Sequence, residues 1–133
     1  MKKILFLLTI LAFNSVEIQS CESKECKEAI AAAKTIIESK AFTDLNADKK
    51  KVILDFLILT ANNASFSETN KLLENNMPFG DDALGLLDKF YQLHEKYRNK
   101  KITLEIATLI YEQIKNSLNG SEIVDYSLKL SGF

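Results

Sequence analysis

The order of apolar and polar residues predicts helices along almost the whole chain after residue 20. Apolar side chains recur at intervals of three and four positions, with charged residues between them, which is typical of amphipathic helices. Residues with hydrogen-bonding side chains precede several of these stretches and are candidate helix caps. The predicted helices are a first over 23–42, a second from the cap Asn46 to about Ala61, a third after Ser65 or Ser67, a fourth from the cap Asp81 to about Arg98, a fifth capped by Thr103, and a last capped by Ser121.

The second predicted helix differs from the others because its middle is apolar on nearly every side. Between Val52 and Leu59 the only polar residue is Asp55. A run of this length is also typical of a buried β-strand, but the rest of the chain offers no strand with which it could pair. We therefore expect a central helix in which Leu57 is fully buried.

The composition favours helices over a sheet. The chain has one proline and four glycines among 133 residues, of which 47% are apolar and 26% are charged. This balance is typical of a folded domain, and the scarcity of helix breakers argues against short strands joined by tight turns. The sequence predicts an all-α fold, a compact antiparallel bundle of five to six short helices joined by short loops.

The first twenty residues have the layout of a secretory signal peptide. Two lysines follow the first methionine, Ile4–Phe13 is an almost continuous apolar run, and a small residue precedes Cys21. A run of this length spans about 15 Å as a helix, half of the apolar core of a bilayer, and is too short for a permanent membrane span. We expect cleavage before Cys21, which leaves residues 21–133 as a single helical domain.

Two modifications of Cys21 are open at this predicted new N-terminus, and an unmodified Cys21 is the third alternative. The segment Ile18-Gln19-Ser20-Cys21 resembles a loose bacterial lipobox, which would place a lipid on Cys21 and tether the protein to a membrane. Alternatively, Cys21 forms a disulfide with Cys26 in an oxidising compartment. A disulfide needs Cα atoms within roughly 7 Å, so Cys21 would then lie off the end of the first helix. The predicted location is periplasmic or secreted, with or without a lipid anchor.

The charge of the chain argues against nucleic-acid binding. After residue 20 there are 15 basic and 17 acidic residues, a net charge of −2, and Arg98 is the only arginine. Proteins that bind nucleic acids need a basic surface and favour arginine for bidentate contacts with phosphate and guanine. We therefore expect another protein as the partner.

Two polar residues, Asp55 and His94, are the candidates for a functional role. Asp55 lies in the apolar run, where a buried carboxylate is costly unless it is paired, so a lysine or tyrosine partner is expected. His94 is the only histidine, and it shares a predicted helix face with Tyr91 and Arg98. A single histidine without a second ligand at metal-binding spacing does not make a usual zinc site. We predict no catalytic, metal or cofactor site, and a half-buried boundary position for His94.

Small size, predicted export and the lack of catalytic motifs favour a protein-interaction module, such as an inhibitor, an immunity-type protein or a host-facing envelope protein. The alternative is a carrier of a lipid or another apolar ligand within the bundle, and an enzyme is the least favoured class. Asn63 and Asn119 each begin a glycosylation pattern, which matters only in a eukaryotic secretory pathway.

Overall fold

The computed structural model describes residues 22–132, which contain seven α-helices, one 3-10 turn and no β-strand. This confirms the all-α prediction, with more helices than the five to six expected. The elements are α1 (Lys24–Glu38), α2 (Lys40–Thr43), α3 (Ala47–Ala61), α4 (Phe66–Glu74), α5 (Asp81–Tyr97), α6 (Lys100–Ile114), a 3-10 turn (Lys115–Ser117) and α7 (Gly120–Leu130).

The additional helix arises because the predicted first helix is interrupted at Ser39. The backbone of Ser39 is extended, and its hydroxyl donates to the carbonyl of Ile36 at 2.6 Å. The same hydroxyl accepts from the backbone N–H of Phe42 and caps α2. A serine side chain that bonds to nearby backbone groups competes with helix continuation, and here the break turns Phe42 into the core.

Side-chain caps define the starts of α3 and α4, as predicted. The side chain of Asn46 accepts from the backbone N–H of Lys49 at 2.9 Å. Ser65 and Glu68 form a capping box, in which each side chain accepts from the backbone N–H of the other residue. These bonds satisfy N–H groups that have no partner within the first turn of a helix.

Three predicted caps are wrong by one to four residues. Helix α5 begins after Gly80, whose φ of 98° is a conformation that glycine adopts easily, so Asp81 is already inside the helix. Asn99 caps α6 and accepts from the N–H of Ile102 at 3.2 Å. Asn119 caps α7 through a capping box with Glu122. Thr103 and Ser121, the predicted caps, lie within these helices.

Helix α3 lies at the centre of the fold, where it packs against α4, α5 and α6. Leu57 is fully buried, as expected of a helix that is apolar nearly all round. Helix α1 packs against α5 and α6, and its alanines Ala29 and Ala33 are completely buried at this contact. The buried side chains of six helices and of the loop residue Phe79 form one contiguous core.

Within residues 22–132, no helix combines the length and the apolar character that crossing a bilayer would require.

Candidate functional site

A concave surface lies between α4 and α5, with α3 as its floor. This feature, the α4–α5 groove, has a volume of about 570 Å³ and opens to solvent. Its lining residues come from α3 (Phe56, Thr60), the α3–α4 loop (Asn63, Ala64), α4 (Phe66, Thr69, Asn70, Leu73) and α5 (Leu84, Leu87, Asp88, Tyr91, His94, Glu95, Arg98). The groove therefore combines apolar and polar side chains from consecutive helices.

Helices α4 and α5 both pack on α3, and the groove lies between them. Leu84, Leu87 and Tyr91 follow one another along this face at three- and four-residue spacing, which in isolation predicts a core-facing row. Only Leu87 is buried, while Leu84 and Tyr91 remain 38% and 40% exposed. Phe66, in the first turn of α4, is 79% exposed and lies on the opposite wall.

Aromatic rings line the groove from the floor to the α5 wall. The ring centroids of Phe56 and Tyr91 lie 6.1 Å apart with an interplanar angle of 62°, an edge-to-face arrangement. The centroids of Tyr91 and His94 lie 6.2 Å apart. Arg98 ends α5 in the left-handed conformation, with φ 44°, and its guanidinium Nη2 lies 2.6 Å from Oε1 of Glu95. This ion pair is at the C-terminal end of the α5 wall.

His94 links the groove to α6 through a buried hydroxyl. Its Nδ1 lies 2.8 Å from Oγ1 of Thr103, a residue only 1% exposed. Burial lowers the pKa of His94 below its usual value, and Arg98 acts in the same direction, while Glu95 opposes both. The imidazole is therefore neutral at pH 7, and it satisfies the Thr103 hydroxyl, which would otherwise be costly to bury. This half-buried position agrees with the boundary role predicted for His94.

Asp55 lies in a different cleft, between α3 and α7, which we call the Asp55 cleft. The hydroxyl of Tyr126 donates to Oδ1 of Asp55, and the ammonium of Lys51 forms an ion pair with Glu122. Both contacts join residues that are 71 positions apart in the chain. The tyrosine partner expected for Asp55 is therefore present. The hydrogen bond between Asp55 and Tyr126 joins α7 to the central helix α3.

Burial dominates the ionisation of this pair. It raises the pKa of Asp55, although the Tyr126 hydroxyl and the Lys51 and Lys129 ammonium groups lower it. Burial also raises the pKa of Tyr126 well above its usual value, and the hydrogen bond to Asp55 adds to this shift. Tyr126 therefore remains protonated and continues to donate its hydrogen bond over the whole range from acidic to neutral pH.

The other candidate residues lie at the rim of the groove, elsewhere in the described fold, or outside residues 22–132. Cys21 lies outside residues 22–132, so its lipid or disulfide stays a prediction, while Cys26 is buried in the first turn of α1. Asn63 is exposed with φ 59° at the rim of the groove, and Asn119 is the cap of α7. No cluster of three or more potential metal ligands occurs in the described part of the chain.

Sequence reasoning did not identify Phe66, Leu84 and Tyr91 as members of one surface. One signal was present, since Phe66 follows a strong N-cap in an otherwise polar first turn. The other two residues, Leu84 and Tyr91, have ordinary core spacing but remain partly exposed in the folded protein.

No family model, curated protein or solved structure matches this chain.

Proposed function

We propose that the protein is an exported, non-enzymatic protein-interaction module whose docking surface is the α4–α5 groove. The observation that carries this proposal is the grouping of Phe66, Leu84 and Tyr91 on the two walls of one groove. Isolated exposed apolar residues are normal on protein surfaces, but apolar residues grouped in a concave surface with a polar rim are typical of an interaction site.

The positions of Asp55 and His94 favour a binding role over catalysis. The two residues line separate clefts, and each bonds to a buried structural partner, Tyr126 for Asp55 and Thr103 for His94. General acid–base chemistry requires groups that converge on one substrate position, and this pair does not supply them.

The contiguous apolar core favours surface docking over carriage of an apolar ligand. The apolar side chains in the middle of the bundle contact one another as a single cluster, with Phe42, Leu57 and Phe90 completely buried in it. A carrier needs internal volume for its ligand, whereas the α4–α5 groove offers apolar surface on the outside of the molecule.

Export is proposed from the N-terminal pattern of residues 1–20. We propose cleavage before Cys21, a location that is periplasmic or secreted, and either a lipid on Cys21 or a Cys21–Cys26 disulfide. The intact mass of the protein purified from its source is expected to correspond to residues 21–133 plus one of these modifications. Retention of residues 1–13 in the soluble protein would contradict export.

Site-specific crosslinking tests the docking surface. A photo-reactive phenylalanine analogue replaces Phe66, and in a control protein it replaces Val124, which is 60% exposed on α7 and outside the groove. We expect a discrete crosslinked protein from position 66 in the source cells, and its loss when Leu84 and Tyr91 are both changed to serine. Equal products from both positions, or none from position 66, would contradict the proposal.

A further inference from the structure

The dimensions of the α4–α5 groove match those of a short helix. The residues that line it from α5 extend from Leu84 to Arg98, about 21 Å at a rise of 1.5 Å per residue. This is the length of roughly four helical turns. The floor contains the buried side chain of Phe56, and the walls contain the buried Leu87 and the exposed Phe66 and Tyr91. Apolar side chains from one face of an occupant would contact both floor and walls.

The backbone of the walls favours a helical occupant over an extended one. Both walls are α-helices, so their backbone N–H and C=O groups are bonded within α4 and α5. An extended peptide would find no strand edge with which to pair, and its own backbone groups would lie unpaired against apolar side chains. A helix satisfies these groups internally and presents only side chains to the groove.

The charges on the α5 wall determine which charge is favoured along the side of the bound helix that faces α5. Asp88 and Glu95 are seven residues apart, so they share one face of α5, and both line the groove. Glu95 is paired with Arg98, the one cation among the described residues that line the groove. Asp88 accepts a hydrogen bond from Gln92 but has no ion pair within residues 22–132. The described lining of the groove therefore has a net negative charge, and Asp88 is its carboxylate without an ion pair.

We propose that the groove binds an amphipathic α-helix of about four turns that carries lysine or arginine at seven-residue spacing along one flank. The apolar face of this helix packs on Phe56, Phe66 and Tyr91, and its basic flank lies against the Asp88 face of α5. The inference rests on the proposed interaction function and names the chemistry of its partner. Complementary charge of this kind fixes orientation and excludes acidic helices.

Two synthetic peptides test this inference with the purified protein. One is an amphipathic peptide of about 18 residues with a leucine face and a lysine flank, and the other has glutamate in place of each lysine. Fluorescence anisotropy gives the Kd of each labelled peptide. We expect the lysine peptide to bind at least about tenfold more tightly, because each exposed ion pair contributes a few-fold. Equal binding, or a preference for the glutamate peptide, would overturn the inference.

Variants of the protein locate the charge effect. Asp88→Asn is expected to weaken binding of the lysine peptide about two- to fivefold, the size expected for one exposed ion pair. Glu38→Gln removes an exposed carboxylate at the end of α1, outside the groove, and is expected to leave the Kd unchanged. Equal effects of the two substitutions would show attraction by net charge alone and would overturn the inference.

The same measurements separate this inference from the proposed function. If both peptides bind equally and Phe66→Ala weakens both, the groove is a docking surface and only the basic character of the partner is wrong. If neither peptide binds, the helical partner is wrong, and the crosslinking at position 66 then decides whether the groove is a docking surface at all.

Discussion

Asp55 is a carboxyl group whose ionisation opposes folding. Because burial raises its pKa, the folded state binds this proton more tightly than the unfolded state does. Protonated Asp55 contributes its full stabilisation at pH values below its pKa in the unfolded state, about 3.9. This stabilisation is lost as the pH rises through the pKa of Asp55 in the folded state. Asp55→Asn keeps an oxygen that accepts from Tyr126 but carries no charge.

We predict that Asp55→Asn becomes increasingly stable relative to the unmodified protein between pH 4 and pH 7. Thermal unfolding of both proteins across this range measures the difference in Tm. Glu38→Gln is the control, because it removes an exposed carboxylate that lies outside this cleft. A difference that shrinks as the pH rises, or an equal effect of the control, would contradict the account of Asp55.

At the scale of single residues, the sequence indicates which groups are unusual but not what they contact. Asp55 is conspicuous because its neighbours in the chain are apolar, and this alone predicts a polar partner. The partner itself, Tyr126, lies 71 residues away and reaches Asp55 only after α7 packs on α3. Chain spacing likewise predicts the boundary position of His94, whereas its contact with Thr103 depends on the turn between α5 and α6.

At the scale of helices, α4 differs from the other α-helices of residues 22–132 in how little of it is buried. It contains no fully buried residue, so its stability depends on the partly buried Leu72 and Leu73 and on the capping box of Ser65 and Glu68. Since α4 forms one wall of the groove, a change in its local stability alters the docking surface without disturbing the core.

Ser65→Ala is expected to destabilise α4 by about 0.5–2 kcal/mol, the usual effect of losing a helix cap. Hydrogen exchange of the backbone amides measures this locally. We expect the variant to exchange faster than the unmodified protein within Phe66–Glu74, with little change in α3 and α6. Ser67→Ala, an exposed change in the same helix, is the control. Unchanged exchange in α4 would show that packing, and not the cap, holds this wall.

The helices also show what hydrophobic periodicity can and cannot predict. It predicts α3 correctly, because a helix that is apolar all round has to be central. It misassigns Leu84 and Tyr91, which have core spacing but line the groove. Periodicity identifies the apolar face of α5, but it does not show how much of that face other helices cover. This coverage is a tertiary property, so the groove could not be predicted from the pattern.

At the scale of the whole molecule, the residues that hold the fold are separate from those that form the docking surface. The core centred on α3 is contiguous and buried, while Phe66 contributes its exposed ring to the groove and lies outside that core. Stability and binding should therefore respond to different substitutions. A pair of large-to-small changes, one in each region, tests this separation.

Leu57→Ala is expected to lower the free energy of unfolding by about 2–5 kcal/mol, because it removes buried apolar surface and leaves a cavity. A domain of this size has a total stability of only about 5–15 kcal/mol, so the variant should unfold at much lower denaturant or fail to fold. Phe66→Ala alters a side chain that is 79% exposed and should change stability by less than about 0.5 kcal/mol. Urea unfolding followed by circular dichroism measures both variants. A large loss of stability in Phe66→Ala would place this ring in the core, and the groove could then no longer be treated as a surface free for a partner.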